Sequence, residues 1–319
     1  MTLLPDHPRH THTVVIGAGT MGADVAIVLA RGGCRVTVVD PHTDKRERLV
    51  AHLRAGLDPL GLAARADRVH AVATLQEVAW SDAVLVIECI PEKLAAKQAL
   101  FAQLVQLAPA HTLLASNSSS FPISAIAQGL ATQPRMLGLH FFMPAHLVPL
   151  VEVVLGPQTD AAQAQQLCSY MRGCGSVPVL VRKDKPGFLA NRLQHALARE
   201  AFAMIDEGIA TPEDVDAAVR FGFGFRYLAA GPVLQRDHAG LDVHCAAAAT
   251  MYPSLSSTVE PARVLQGHVN AGRLGMKTGA GFYDWPEERR QAERLRYDRL
   301  LQQGLALLAD ELPPLDRNL

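Results

Sequence analysis

The chain carries little charge: 19% of its 319 residues are charged, and the formal net charge is −1. Such a balance offers no field for drawing in nucleic acid or an anionic membrane. No run of 18 apolar residues occurs, so no transmembrane helix is expected. Residues 1–12 are polar and lack the apolar core of a signal peptide, which makes a cytoplasmic location the expectation. The five cysteines (Cys34, Cys89, Cys168, Cys174 and Cys245) show no CxxC spacing, and the 13 histidines form no HExxH. Neither a disulfide framework nor a metal is expected.

Apolar residues are plentiful at 49% and fall into two textures. Up to about residue 182, short β-branched runs alternate with helical stretches. Residues 14–16, 36–39, 69–72, 83–87, 112–115 and 136–139 read as strands, and 151–155 and 177–181 would complete the sheet. Strands buried on both faces and separated by helices mean βαβ units and a parallel sheet. Beyond Lys183-Asp184-Lys185-Pro186-Gly187 the pattern becomes helical, with a long helix over 188–207 ended by Gly208. Thr211-Pro212-Glu213-Asp214 opens another, with threonine as N-cap, proline at N1 and carboxylates in the first turn. The fold expected is α/β: a doubly wound, Rossmann-type sheet domain over 1–184, then an all-helical domain over 185–319.

Gly17-Ala18-Gly19-Thr20-Met21-Gly22 follows the first strand directly and opens a helix. In that context GxGxxG reads as a dinucleotide fingerprint. Gly17 permits the tight turn, Gly19 lets a pyrophosphate approach the backbone, and Gly22 lets helix and strand pack closely. The phosphate would sit on the helix N-terminus at Thr20 and Met21. Asp40, eighteen residues after Gly22, ends the second strand. A carboxylate there accepts hydrogen bonds from ribose hydroxyls and repels a 2′-phosphate, so NAD is the expected cofactor.

Glu152 interrupts the apolar run 148–155, where a carboxylate is costly unless a charged or hydrogen-bonding group meets it. His140, on a neighbouring strand, is the natural partner, and the two together make a general base with its orienting acid. Ser116-Asn117-Ser118-Ser119-Ser120 lies just past a parallel strand, where doubly wound sheets bind ligands.

Residues 17–22, Glu88-Cys89-Ile90-Pro91-Glu92, 116–120, the span from His140 to Glu152, Pro186-Gly187-Phe188 with Asn191-Arg192, and 275–285 together closely resemble the L-3-hydroxyacyl-CoA dehydrogenase family, in order along nearly the whole chain. The resemblance implies NAD-dependent oxidation of an L-3-hydroxyacyl-CoA to its 3-oxo form. It makes His140 the base, Glu152 its orienter, Ser119 a hydrogen-bond partner of the substrate oxygen and Asn191 a second substrate contact. Glu92 and Asn117 would lie on the cofactor side, and a homodimer is implied.

Two positions depart from the family pattern. Met143 stands where the acyl-CoA enzymes usually carry asparagine, and Pro149 where they tend to carry lysine. Pro149-Leu150-Val151-Glu152 looks more like the branch that contains L-gulonate 3-dehydrogenase and lambda-crystallin. The alternative substrate is therefore a free 3-hydroxy acid such as L-gulonate or L-carnitine, with Arg226 gripping its carboxylate. For coenzyme A, cations are available at Arg46, Arg48, Arg54, Arg65 and Arg68, where the family inserts a helical hairpin. A lesser alternative is a non-catalytic, crystallin-like NAD-binding protein. Another is a dehydrogenase of the lysine-dependent class, with Lys183 or Lys185 carrying the proton.

Overall fold

A computed structural model describes residues 4, 5 and 7–317 and divides the chain into two compact units, Met1–Asn191 with Ala309–Leu319, and Arg192–Leu308. The first unit is built on one eight-stranded sheet: β1 (His12–Ile16), β2 (Arg35–Val39), β3 (Val69–Val72), β4 (Ala83–Glu88), β5 (Leu113–Ser116), β6 (Met136–Phe141), β7 (Leu150–Leu155) and β8 (Val177–Val181). Their order across the sheet is β3-β2-β1-β4-β5-β6-β7-β8. The order of strand addition thus reverses between β1 and β4, which remain parallel, the kind of switch point where doubly wound sheets open a ligand crevice.

The strands are Val-, Ile- and Leu-rich because helices cover both faces. On one side α1 (Thr20–Arg31) buries Val25 to Ala30 against β1 and β2, with Leu49, Leu53 and Leu57 of α2 (Thr43–Leu57) behind it. On the other, α3 (Leu94–Leu107) and the short α4 (Ile123–Ile126) bury Leu100, Phe101, Leu104, Ile123 and Ile126. A further helix, α5 (Ala161–Gly173), opens on Asp160, whose carboxylate caps Ala162 N–H at 2.8 Å.

The sheet departs from the expected all-parallel arrangement at one place. β6 and β7 pair antiparallel, and their register sets His140 opposite Glu152. The turn between them, residues 142–149, contains the cis bond Met143-Pro144 and is far too short for a crossover. The helical hairpin expected between β2 and β3 is also replaced, by α2 followed by two short 3-10 turns, Asp58–Leu60 and Ala63–Arg68. At the far end of the chain, residues 309–317 return to the first unit, where Arg65 donates to Asp316 O.

The second unit is helical: most of α6 (Ala190–Asp206), which starts later than the expected residue 188, then α7 (Pro212–Ala217), α8 (Leu234–Ala239), α9 (Leu241–Met251), α10 (Arg263–Asn270) and α11 (Glu287–Leu307). Thr211 and Asp214 cap α7 reciprocally. Asp206 accepts from the first amides of α10, Arg263 N–H at 2.7 Å and Val264 N–H at 2.8 Å. The 275–285 segment folds into tight bridges, Gly275 to Ala280 and Ala280 to Asp284, and stacks Phe282 on Phe202. No helix among the described residues is long and apolar enough to cross a membrane.

Candidate active site

The glycine turn lies at the carboxyl end of β1. Gly17 has φ +102, and a Cβ there would come within 2.7 Å of Cys89 O. A Cβ on Gly22 would stand 1.8 Å from Gly17 O, while nothing lies within 4 Å of the Cβ position of Gly19. One face of the turn is therefore packed against its neighbours and the other is open, the shape a pyrophosphate needs above the first amides of α1. Gly22→Ala is expected to push the 17–18 backbone out of place and weaken NADH binding by tenfold or more, about 1.4 kcal/mol, as read by fluorescence titration. Affinity within twofold of wild type would show that the turn is not the phosphate cradle.

Asp40 is buried at the end of β2. Its carboxylate accepts from Ala18 N–H and His42 N–H, at 2.8 and 2.9 Å. Burial pushes this carboxyl up, but the two amides and the Lys45 cation outweigh it and hold the group below the usual carboxylate range. A charged acceptor is thus fixed beside the glycine turn, and the residues present fit NAD.

Ser119, His140 and Glu152 form a hydrogen-bonded chain across the carboxyl ends of β5 and β6. His140 Nδ1 lies 2.7 Å from Glu152 Oε2, and His140 Nε2 lies 3.0 Å from Ser119 Oγ. Glu152 is 0% exposed and His140 2%. The buried carboxylate is further met by the amides of Leu189 and Ala190, each at 2.9 Å to Oε1. Those amides reach it because Gly187 (φ +78) and Phe188 (φ +48) both turn left-handed just before α6. A left-handed backbone strains phenylalanine, and burying its ring offsets that strain. The Phe188 ring lies 5.4 Å from the imidazole, which Phe142 meets edge-on at 4.6 Å. Since a carboxylate only accepts, His140 must donate from Nδ1, leaving Nε2 bare as a base.

The rest of the loop is held from below. Asn117 accepts Phe141 N–H through Oδ1 at 2.9 Å, which fastens β5 to β6. Glu92 accepts from Ser118 Oγ and Ser120 N–H. Burial raises the Glu92 carboxyl, but these bonds and the Lys97 cation bring it below its ordinary value. Beneath lies a set of residues to which sequence reasoning assigned no role. Lys97, 1% exposed on α3, reaches Glu88 Oε1 at 2.7 Å and Glu92 Oε2 at 3.1 Å. Glu88, 0% exposed at the end of β4, also accepts from Ser116 Oγ and Ile90 N–H.

Asn191 directly follows Ala190 and is half-buried; no hydrogen bond of its side chain to the His140–Glu152 pair occurs among the described residues. Thr20 is exposed at the start of α1, and Met21 packs against the core. Arg226 lies in the second unit, exposed in the 3-10 turn Phe225–Leu228. The arginines of the 44–68 region are largely committed within the first unit. Arg65 is buried on Arg31 O and Asp316 O, a structural role that removes it from any coenzyme A site. Arg48 pairs with Asp44, Arg54 with Asp67, Arg46 binds Asp40 O, and Arg68 meets Gly33 O and His10. Among the described residues no group of three or more His, Cys, Asp or Glu is placed to hold a metal ion.

Residues 12–185 match the family model of the 3-hydroxyacyl-CoA dehydrogenase NAD-binding domain, and residues 187–285 that of the C-terminal domain. The chain is 34% identical over 290 residues to 5-formyl-3-hydroxy-2-methylpyridine 4-carboxylate 5-dehydrogenase of Mesorhizobium japonicum, covering 88% of this chain and 94% of that one. It is 38% identical over 284 residues to 3-hydroxyadipyl-CoA dehydrogenase of Escherichia coli, covering 86% of this chain and 59% of that longer protein. A crystal structure of a 5-formyl-3-hydroxy-2-methylpyridine 4-carboxylic acid 5-dehydrogenase, described as an NAD+-dependent dismutase, superposes with a TM-score of 0.88 at 31% identity over 93% of this chain and 98% of that one. The chain belongs to the 3-hydroxyacyl-CoA dehydrogenase family and is an NAD-dependent oxidoreductase that acts on CH–OH groups.

Proposed function

We propose that the protein oxidises an L-3-hydroxyacyl-CoA reversibly to the 3-oxoacyl-CoA, with His140 as general base. The observation that carries this reading is the Ser119–His140–Glu152 chain at the carboxyl edge of the sheet that bears the glycine turn. His140 Nε2 takes the proton from the 3-hydroxyl, and Ser119 Oγ hydrogen-bonds the same oxygen. Glu152 keeps the imidazole in the required tautomer and stabilises the imidazolium as it forms, as an orienting carboxylate does in any base–acid pair. Bound NAD supplies the hydride acceptor for C3. Residues 17–22 and Asp40 would hold the dinucleotide, Glu92 and Asn117 would border its nicotinamide end, and Asn191 would steady the substrate.

A second reading, a free hydroxy acid, is favoured by the arginines of the β2–β3 connection, which are paired within the first unit and leave few uncommitted cations there for coenzyme A phosphates. The relative with the pyridine carboxylate substrate acts on a molecule without coenzyme A by its name. On this reading Arg226 holds the carboxylate.

NADH absorbance, followed with L-3-hydroxybutyryl-CoA beside free L-3-hydroxybutyrate, L-gulonate and L-carnitine, separates the two. Turnover of the thioester alone supports the first reading, and turnover of a free acid alone supports the second. Silence on every substrate would refute both.

We infer a homodimer in the cytoplasm. The second unit leaves Phe221, Phe225, Tyr252, Val259 and Leu295 largely exposed in the single chain, an apolar surface more typical of an interface than of a monomer.

A further inference from the structure

Asp24 sits one turn inside α1 with 2% of its surface exposed. A buried carboxylate is costly unless its oxygens are met. Here Oδ2 accepts Ala145 N–H at 3.1 Å, while Oδ1 lies 2.8 Å from Nε2 of His52 on α2 and 3.2 Å from Nδ1 of His146. Seven residues further along the helix, buried Arg31 donates to His146 O at 3.3 Å, Cys174 O at 2.7 Å and Ser176 Oγ at 3.4 Å. Residues seven apart share one face of a helix. That face of α1 therefore grips the turn 142–149 twice, at Ala145 through an anion and at His146 through a cation.

The turn it grips joins the strand of His140 to the strand of Glu152. The first residue of that turn, Phe142, lies against the His140 imidazole. The same helix would present its first amides to the phosphates of a bound dinucleotide. Burial pushes the Asp24 carboxyl up, but the two imidazoles beside it more than offset this and hold it at about 2.

From this geometry we infer that Asp24 is a positioning residue for the dehydrogenase reaction, tying the turn 142–149 to the phosphate-binding helix so that Phe142 keeps His140 aligned between Ser119 and Glu152. The inference rests on the dehydrogenase reading above. It concerns a residue that touches neither the reacting atoms nor the His140 imidazole.

Asp24→Ala, with Asp24→Asn as the conservative variant, tests it by three readouts. In Asp24→Ala, kcat on the best substrate should fall about tenfold or more, since displacement of a catalytic group by an ångström can cost about a hundredfold. The Kd for NADH should stay within twofold, and amide exchange in a peptide spanning 142–149 should accelerate. Asp24→Asn keeps an acceptor for Ala145 N–H and should recover most of kcat. If Asp24→Ala does not fold, Asp24→Ser, which keeps a hydroxyl in the buried site but drops the second oxygen, is read the same way.

Unchanged kcat with a lowered melting temperature would make Asp24 structural only. A loss of NADH affinity in step with kcat would place its effect on the cofactor, and unchanged exchange would remove the tether. Each of these overturns the inference. A wild-type enzyme silent on every substrate would instead overturn the functional reading, and that outcome is seen before any variant is made.

Discussion

His140→Ala is expected to lower kcat by about 10²–10⁴-fold, the usual contribution of a positioned general base, with the Kd for NADH left within about twofold. The geometry separates the two readouts. Among the described residues the His140 imidazole hydrogen-bonds only to Ser119 and Glu152, while the glycine turn and Asp40 rest on Cys89, Ala18 and His42. Removing the imidazole leaves Glu152 with the Leu189 and Ala190 amides, so the carboxylate keeps two of its three partners and the fold should survive. Glu152→Gln tests the other half of the pair. Its amide nitrogen must face either Nδ1, which would have to accept and so adopt the wrong tautomer, or the two backbone N–H groups, which would lose their acceptor. In either case His140 loses its charged orienter even though it remains in place. Stopped-flow or steady-state NADH formation measures both variants, with Lys185→Ala as the comparison for a lysine-dependent mechanism. A His140→Ala enzyme within tenfold of wild type, or a Lys185→Ala enzyme slowed as much, would remove His140 from the role of base.

The strands were legible because most are buried on both faces and are therefore near-continuous apolar runs, β-branched in β1, β2, β4, β7 and β8, while edge strand β3 is partly exposed. The same pattern carries no direction, and the β6–β7 reversal went unseen. The signal for it was present: a parallel return needs a crossover of about a dozen residues or more, and residues 142–149 are too few. The His140–Glu152 contact was legible because a lone carboxylate in an apolar strand demands a partner. Asp24 makes the same demand inside the apolar start of α1, where it was masked by the glycine fingerprint beside it. Lys97 was not legible, since a lysine in a helix such as Leu94–Leu107 ordinarily points to water, and only the end of β4 shows that this one does not. Arg65 misled in the opposite sense: a cation in a polar segment resembles a ligand site until the tail at Asp316 is seen to cover it.

The consequence of that burial is the other large effect. Lys97→Met is expected to destabilise the protein by about 3–5 kcal/mol, because breaking a buried pair leaves an uncompensated charge. Glu88 would keep Ser116 Oγ and Ile90 N–H but lose its only cation among the described residues, in surroundings that water does not reach. The methionine fills much of the same volume, so the loss reports charge rather than a cavity. Denaturant unfolding of the first unit's transition measures it, and the double variant Glu88→Gln/Lys97→Met should recover part of the loss, since a neutral amide needs no counter-ion. Activity should fall as well: Lys97 also bonds to Glu92, which holds Ser118 and Ser120 on either side of Ser119. A Lys97→Met protein as stable as wild type would mean that the buried Glu88–Lys97 pair contributes no net stability, and the loop beneath the active site would then be held by its other hydrogen bonds.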